Sequence, residues 1–247
     1  MAHARSRRVE LEPAYLLHQR DWRDSSRIVE FYTRDHGRIA LFAKGARRPG
    51  SGLASVLRPF VPIVLTWQGS GDGGTLIAAE TPVVVSPVVP ACLMSAFYLN
   101  ELLLKLLARE DPHPEIFETY AATLARLTAA STEREALRMF EKRFLDALGF
   151  GIDYSHCLGT GDGVVAERYY AVDPSRGVLT MVAPETKGAV GGVDLLALAA
   201  EDLTTEGQLV VARRLFGATI AAALDGRELN SRRVARAVKA RPSTPEG

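Results

Sequence analysis

Near Pro90 the hydrophobic period of the chain changes from about two to about 3.6, and few folds accommodate that single switch. Upstream, "YLLHQRDW", "SRIVEFYTR", "GRIALFAKG", "FVPIVLTW" and "GTLIAAETPVVV" are rich in β-branched and aromatic residues and are separated by Gly, Pro, Asp or Ser. Segments of this kind read as strands bounded by turns. Five of them at this spacing predict a small β-barrel of the OB-fold type over residues 1–85.

Downstream, "ACLMSAFYLNELLLKLLARE", "PEIFETYAATLARLTA" and "STEREALRMFEKRFLDALGFG" carry helical spacing, and the last ends at Gly149 and Gly151. The first of these is apolar on nearly every side, which predicts a place at the centre of a helical domain. Residues 90–247 are expected to form an all-helical C-terminal domain, so the fold class is α+β. Within it, 152–192 reads as an irregular insert with a short strand pair at "RYYAV" and "GVLTMV". Helix returns from about Asp194 to Leu224, and "SRRVARAVKARPSTPEG" reads as a basic helix fraying into a polar tail.

Net charge conceals a segregation that bears on partners. The chain as a whole carries +1, yet residues 1–60 hold 12 Lys/Arg against 6 Asp/Glu, and residues 226–247 hold 6 against 2. A basic head and tail therefore flank an acidic middle, an arrangement suited to an anionic partner at the head. Cys92 and Cys157 are far apart and unpaired in pattern, which suits a reducing compartment. "MAHARSRRVE" is followed by no apolar h-region, and Pro82 to Ala108 is interrupted by Pro87, Pro90, Asn100, Glu101 and Lys105. Neither a signal peptide nor a bilayer span is expected, and the predicted location is the cytoplasm.

Several motifs with catalytic associations fail on context. "GSGDGG" at 69–74 satisfies G-x-G-x-x-G, but the following "TLIAAE" is strand-like, whereas a dinucleotide site needs a helix there. The stretch reads as a hairpin loop. "GTGDG" at 159–163 lacks the G-K-[ST] ending of a P-loop, and Ser25-Ser26 has no nucleophile-elbow context. Cys157 beside His156 has no CxxC partner, and the other histidines are scattered. No metal, no cofactor and no catalytic constellation are expected.

The stretch "FYTRDHGRIALFAKGARRPGSGL" carries more chemistry. With "DHG" as a three-residue turn, Arg34 would pair with Arg38, Tyr32 with Ala40 and Glu30 with Phe42. One face, with Phe31, Ile39 and Leu41, is core. The other would interleave Arg34, Arg38 and Lys44 with Tyr32 and Phe42, as single-stranded nucleic-acid surfaces do. Like charges facing each other disfavour a sheet unless an anion lies between them, so this face is either a binding surface or two solvated arginines. Arg47 and Arg48 follow in a glycine-rich loop, and "LRPF" places Arg58 and Phe60 before the next strand.

Taken together, these pieces resemble the family of the bacterial recombination mediator RecO. The resemblance rests on Arg20, Trp22, Asp24 and Ser26, the "FYTRDHGR" hairpin, Ala43 to Arg47, and Leu57 to Phe60. It extends through "YLNELLLKLL", "LRMFEKRFLDALGFGIDYSHCLGTG" and "GRELNSRR", and so covers nearly the whole chain. It implies a non-catalytic DNA-repair protein that binds single- and double-stranded DNA and anneals complementary strands. It also implies work with RecR and RecF in loading RecA onto strands coated by the single-stranded-DNA-binding protein SSB. The helical domain of that family binds the acidic tail of SSB, and Arg138 in "LRMFE" is similar in position to a tail-contacting arginine. The other reading of Arg138 is a helix arginine paired with Glu135 or Glu141. Many members carry a four-cysteine zinc site after "LGFG", whereas Cys157 here stands alone, so no zinc is expected.

The resulting expectation is a nucleoid-associated strand-annealing mediator with DNA contacts at Arg34, Arg38, Phe42, Lys44, Arg47, Arg48 and Arg58, and an SSB-tail contact at Arg138. An adaptor for SSB and RecR, with only secondary DNA contact, is the alternative.

Overall fold

In the computed structural model, residues 7–48, 50–70, 73–158, 160–231 and 233–234 are described. They form two compact units, one of residues 1–130 with 229–247 and the other of 131–228. The division falls later than the change of hydrophobic period suggested, because the first two long helices belong to the barrel unit. Among the described residues, no helix is long and apolar enough to cross a membrane.

The first unit is built on a closed barrel, in the order β1 (Arg7–Trp22), β2 (Ser26–Thr33), β3 (Gly37–Ala43), β5 (Gly73–Glu80), β4 (Pro62–Ser70), returning to β1. All pairings are antiparallel except β3 with β5. This is the expected five-stranded OB-type barrel. β1 is longer than expected because its first half pairs with β4 and its second with β2, which closes the sheet. Val29, Phe31, Ile39, Leu41, Ile63 and Leu65 alternate inward and fill the interior. "GSGDGG" lies in a hairpin, with Ser70 opposite Gly73 and residues 71–72 outside the described set. A short helix α1 (Gly52–Val56) links β3 to β4.

α2 (Leu93–Leu106) and α3 (Pro114–Arg126) complete this unit. α2 packs on β1 through Asn100, and Ala96, Leu99, Leu102 and Leu103 are fully buried along it. A bulge between Leu16 and His18 leaves Leu17 outside the ladder. Asn100 Nδ2 donates to the Leu16 and Leu17 carbonyls at 3.3 and 3.0 Å, and its Oδ1 accepts from Tyr120 at 2.5 Å. Every side-chain polar atom of this buried amide therefore has a partner. Glu101, one residue on, accepts from the amides of Asn230 and Ser231 at 2.8 Å each and from the Ser231 hydroxyl at 2.6 Å. Those bonds return the end of the chain to the first unit. The basic tail beyond Val234 lies outside the described residues.

The second unit holds α4 (Glu133–Ala147), a three-stranded sheet ordered β7 (Val178–Val182), β6 (Tyr169–Asp173), β8 (Val190–Gly191), then α5 (Gly192–Ala200) and α6 (Glu206–Ala223). The expected strand pair is present, and β8 adds a third strand within the otherwise helical domain. α4 ends at Gly149 with φ +78, as the glycine signal predicted. The single helix expected from Asp194 to Leu224 is two. Thr205 begins the second with a capping box, accepting from the Gln208 amide at 3.2 Å while the Gln208 side chain accepts from the Thr205 amide at 2.9 Å.

Candidate nucleic-acid interface

The β2–β3 hairpin differs from expectation in its register. Thr33 pairs with Gly37, Tyr32 with Arg38, Glu30 with Ala40 and Ile28 with Phe42. The turn is therefore "RDH" rather than "DHG", and Arg34 does not face Arg38. A slip of two residues keeps every side chain on its predicted face, so alternation is blind to it. What selects the observed register is contact outside the hairpin. The Asp35 amide donates to the buried Glu12 carboxylate at 2.6 Å, and Gly37, with φ +65, lies so close under Asp111 that a Cβ there would strike its backbone.

The half of the outer hairpin face near this turn is not open. Tyr32 is fully buried, its ring 5.6 Å from Phe117, and its hydroxyl donates to the His113 carbonyl at 2.9 Å. Arg38 Nη1 donates to the Leu104 carbonyl at 2.5 Å, and burial lowers the guanidinium's affinity for its proton. Glu30, beside it, is paired with Arg109. Arg34 stands at the turn itself, 3.7 Å from Asp35 and 3.9 Å from Glu118, in an acidic setting. Two of the predicted contacts, Arg34 and Arg38, are thus separated from the rest.

At the opposite end of the hairpin the face is uncovered. Pairing places Arg20, Ile28, Phe42 and Thr75 in one row across β1, β2, β3 and β5. Trp22 follows Arg20 two residues on, hence on the same face, and pairs with Ser26. The Arg20 guanidinium lies 5.8 Å from the centroid of the Trp22 ring. Arg23 closes the β1–β2 turn in the left-handed conformation, with φ +52.

The loop after β3 is tied to this turn. The Arg47 amide donates to the Ser25 carbonyl at 3.0 Å, its Nη1 donates to the Arg23 carbonyl at 3.2 Å, and its Nε lies 3.4 Å from Asp21. Asp21 also receives Arg27 at 3.2 Å. Ala46 is buried in the barrel core, and the Arg48 amide donates to the Gly45 carbonyl at 3.0 Å. The loop is therefore pinned, despite its glycines. Lys44, Arg47 and Arg48 are all exposed, and Arg47 also ties the two loops together. Phe42 is half-buried beside them.

Chemically this end of the barrel offers exposed cations at Arg20, Arg23, Lys44 and Arg48 on two tied loops, with an exposed indole beside Arg20, a combination that suits phosphates and base faces. Sequence reasoning did not assign Arg20, Trp22 or Arg23 to the interface. The alternation in "HQRDWRD", with Arg20 and Trp22 two apart, was the available signal. Arg58 is exposed beyond α1, leading to Phe60, whose ring meets Phe97 at 5.0 Å.

In the second unit, Arg138 is nearly buried and its Nη2 donates to Glu141 Oε1 at 3.0 Å. Glu141 was one of the two acids named as its structural partners. Arg138 Nε is buried without a hydrogen-bond partner. Cys157 is half-buried, and burial together with Asp162 pushes its thiol up, away from thiolate reactivity. Among the described residues, no group of three His, Cys, Asp or Glu side chains is placed to hold a metal.

Residues 9–81 match the family model described as Recombination protein O N terminal, and residues 91–200 match Recombination protein O C terminal. The chain is 41% identical over 229 residues to DNA repair protein RecO of Methylococcus capsulatus, covering 93% of this chain and 94% of that protein. It is 38% identical over 231 residues to DNA repair protein RecO of an Azoarcus species, covering 92% and 95%. A third relative of the same name, from Nitrosococcus oceani, is 38% identical over 226 residues, covering 91% and 92%.

Proposed function

Because the chain belongs to the RecO family, we propose that it serves DNA repair and recombination by binding nucleic acid at the open end of its barrel. The observation that carries this reading is the loop pair held by Arg47, which carries the exposed Lys44, Arg48 and Arg23, next to Trp22 with Arg20 5.8 Å from its ring. The bonds from Arg47 preset the loop backbones, so on binding the ordering cost falls on the side chains and not on the loops. The protein acts by positioning strands rather than by catalysis: it binds single- and double-stranded DNA, anneals complementary strands, and with RecR and RecF aids loading of RecA onto SSB-coated DNA. The contact set within this proposal is Phe42, Lys44 and Arg48 from the predicted residues, joined by Arg20, Trp22 and Arg23. Arg47 positions the loops, and Arg58 extends the basic surface.

For the SSB tail, Arg138 is the proposed contact. An incoming carboxylate would have to share the guanidinium with Glu141 at the small part of the side chain that is exposed, since Nε is itself buried.

The decisive experiment is a salt titration of single-strand binding with the intact chain and with Lys44→Ala/Arg48→Ala. Loss of two phosphate contacts should flatten the slope of log K against log salt by about 1.4, at roughly 0.7 per contact, and slow annealing. An unchanged slope with normal annealing would remove this surface from the proposal.

A further inference from the structure

We propose that Trp22 is a stacking platform for a single unstacked base, and that it makes this interface prefer single-stranded nucleic acid over duplex. The inference rests on the nucleic-acid reading of the surface given above. The chain has two tryptophans, and their settings differ sharply. Trp67 is 6% exposed inside the barrel, edge-on to His36 at 5.3 Å, whereas Trp22 is 40% exposed at the end of β1.

Nothing about closing the turn requires an indole at position 22. The turn is closed by the Trp22–Ser26 pairing, by Arg23 in the left-handed conformation and by the Arg47 guanidinium on the Arg23 carbonyl, none of which involves the indole. Those same bonds fix the backbone from which the ring projects. Arg20, 5.8 Å from the ring centroid, polarises the π system and is available to a phosphate next to a stacked base. Lys44 and Arg48 stand exposed on the loop tied to the same turn.

Selectivity follows from which π faces are available. In a duplex each base face is covered by its neighbours, so a duplex reaches the cations but not the indole. An unpaired strand can turn one base onto the ring, whatever its identity, because every base presents a π face. The structure thus separates charge attraction, common to both forms of DNA, from stacking, open to one.

The two tryptophans make the test direct. Trp67→Phe leaves Trp22 as the emitter, and Trp22→Phe in the otherwise unchanged chain gives the complementary signal by subtraction should the first variant fold poorly. Each full-length protein is titrated with oligo-dT and with a hairpin duplex of equal phosphate number, with anisotropy of labelled DNA recording binding. Oligo-dT should quench the Trp22 emission, and the duplex should bind without quenching it. Trp22→Ala should weaken oligo-dT binding about tenfold, within the range for one lost stacked base, and duplex binding less than twofold. Trp22→Phe should keep most of the affinity. Oligo-dT binding that neither quenches Trp22 nor weakens in Trp22→Ala overturns the stacking role while leaving the nucleic-acid surface standing. Failure of both DNAs to bind overturns both.

Discussion

The Asn100 side-chain amide donates to the carbonyl of Leu17 at 3.0 Å, the one residue that the β1 bulge withholds from its neighbouring strand. The bulge and the asparagine are complementary: one frees a buried acceptor, the other supplies its donor. Asn100→Leu should therefore cost about 1–3 kcal/mol in urea unfolding, the scale for stranding a buried polar group. Tyr120→Phe, which removes a single hydroxyl from the same network, should cost less.

Arg38 separates a structural arginine from a phosphate contact. Arg38→Ala strips the Leu104 carbonyl of its donor, so unfolding free energy should fall by about 1–3 kcal/mol. The salt slope of DNA binding should stay that of the parent protein. A flattened slope with intact stability would return Arg38 to the interface.

Glu12 predicts a pH effect of defined sign. Burial is the main reason that its carboxyl pKa is raised above 4.5, with Asp35 adding to it, while the Asp35 amide, His36 and Arg34 oppose the rise. The folded state therefore binds its proton more tightly than the unfolded chain does, and this group's contribution falls as pH rises from about 4.5 through the folded value. Glu12→Gln keeps an acceptor for the Asp35 amide without the buried charge. It should raise Tm at pH 7 and give no gain below pH 4.5, as thermal melts across that range would record.

Arg138 and Glu141 form a buried pair, with side-chain exposures of 10% and 0%. Arg138→Met should destabilise by about 3–5 kcal/mol, because it leaves a buried carboxylate without its cation. The double change Arg138→Met/Glu141→Leu should recover much of that in chemical denaturation. If SSB-tail peptide binding is lost in the double variant while stability returns, the arginine has a role at that surface beyond packing.

The strand positions were legible because alternation is local: Ile39, Leu41 and Phe31 point inward as their spacing requires. Register was not, since Tyr32 opposite Arg38 and Tyr32 opposite Ala40 give the same faces. The cover over Tyr32 and Arg38 comes from Leu104, His113 and Phe117, far along the chain, and no local pattern announces it. The break between α5 and α6 had a readable sign in Thr205 and Gln208, which the apolar run on either side obscured. Lys44 and Arg48 could be proposed from the sequence because charge crowded beside a strand is visible in one dimension. Trp22 could not, because its place beside the basic loop depends on Arg47 reaching across from that loop.

Glu101 and Asn230 are 129 residues apart, and their bond joins the first and last segments of one compact unit. On the ribosome the barrel and α2 emerge early, with Lys105 already 3.3 Å from the Glu101 carboxylate, but the Asn230 and Ser231 amides it accepts from are made only after the whole intervening unit. At about 5–20 residues per second that interval is roughly 6–26 s, in which the barrel must hold together without its closing strap. The two amide bonds to Glu101 thus form only once synthesis has passed Ser231, so this strap is among the last ties the first unit acquires.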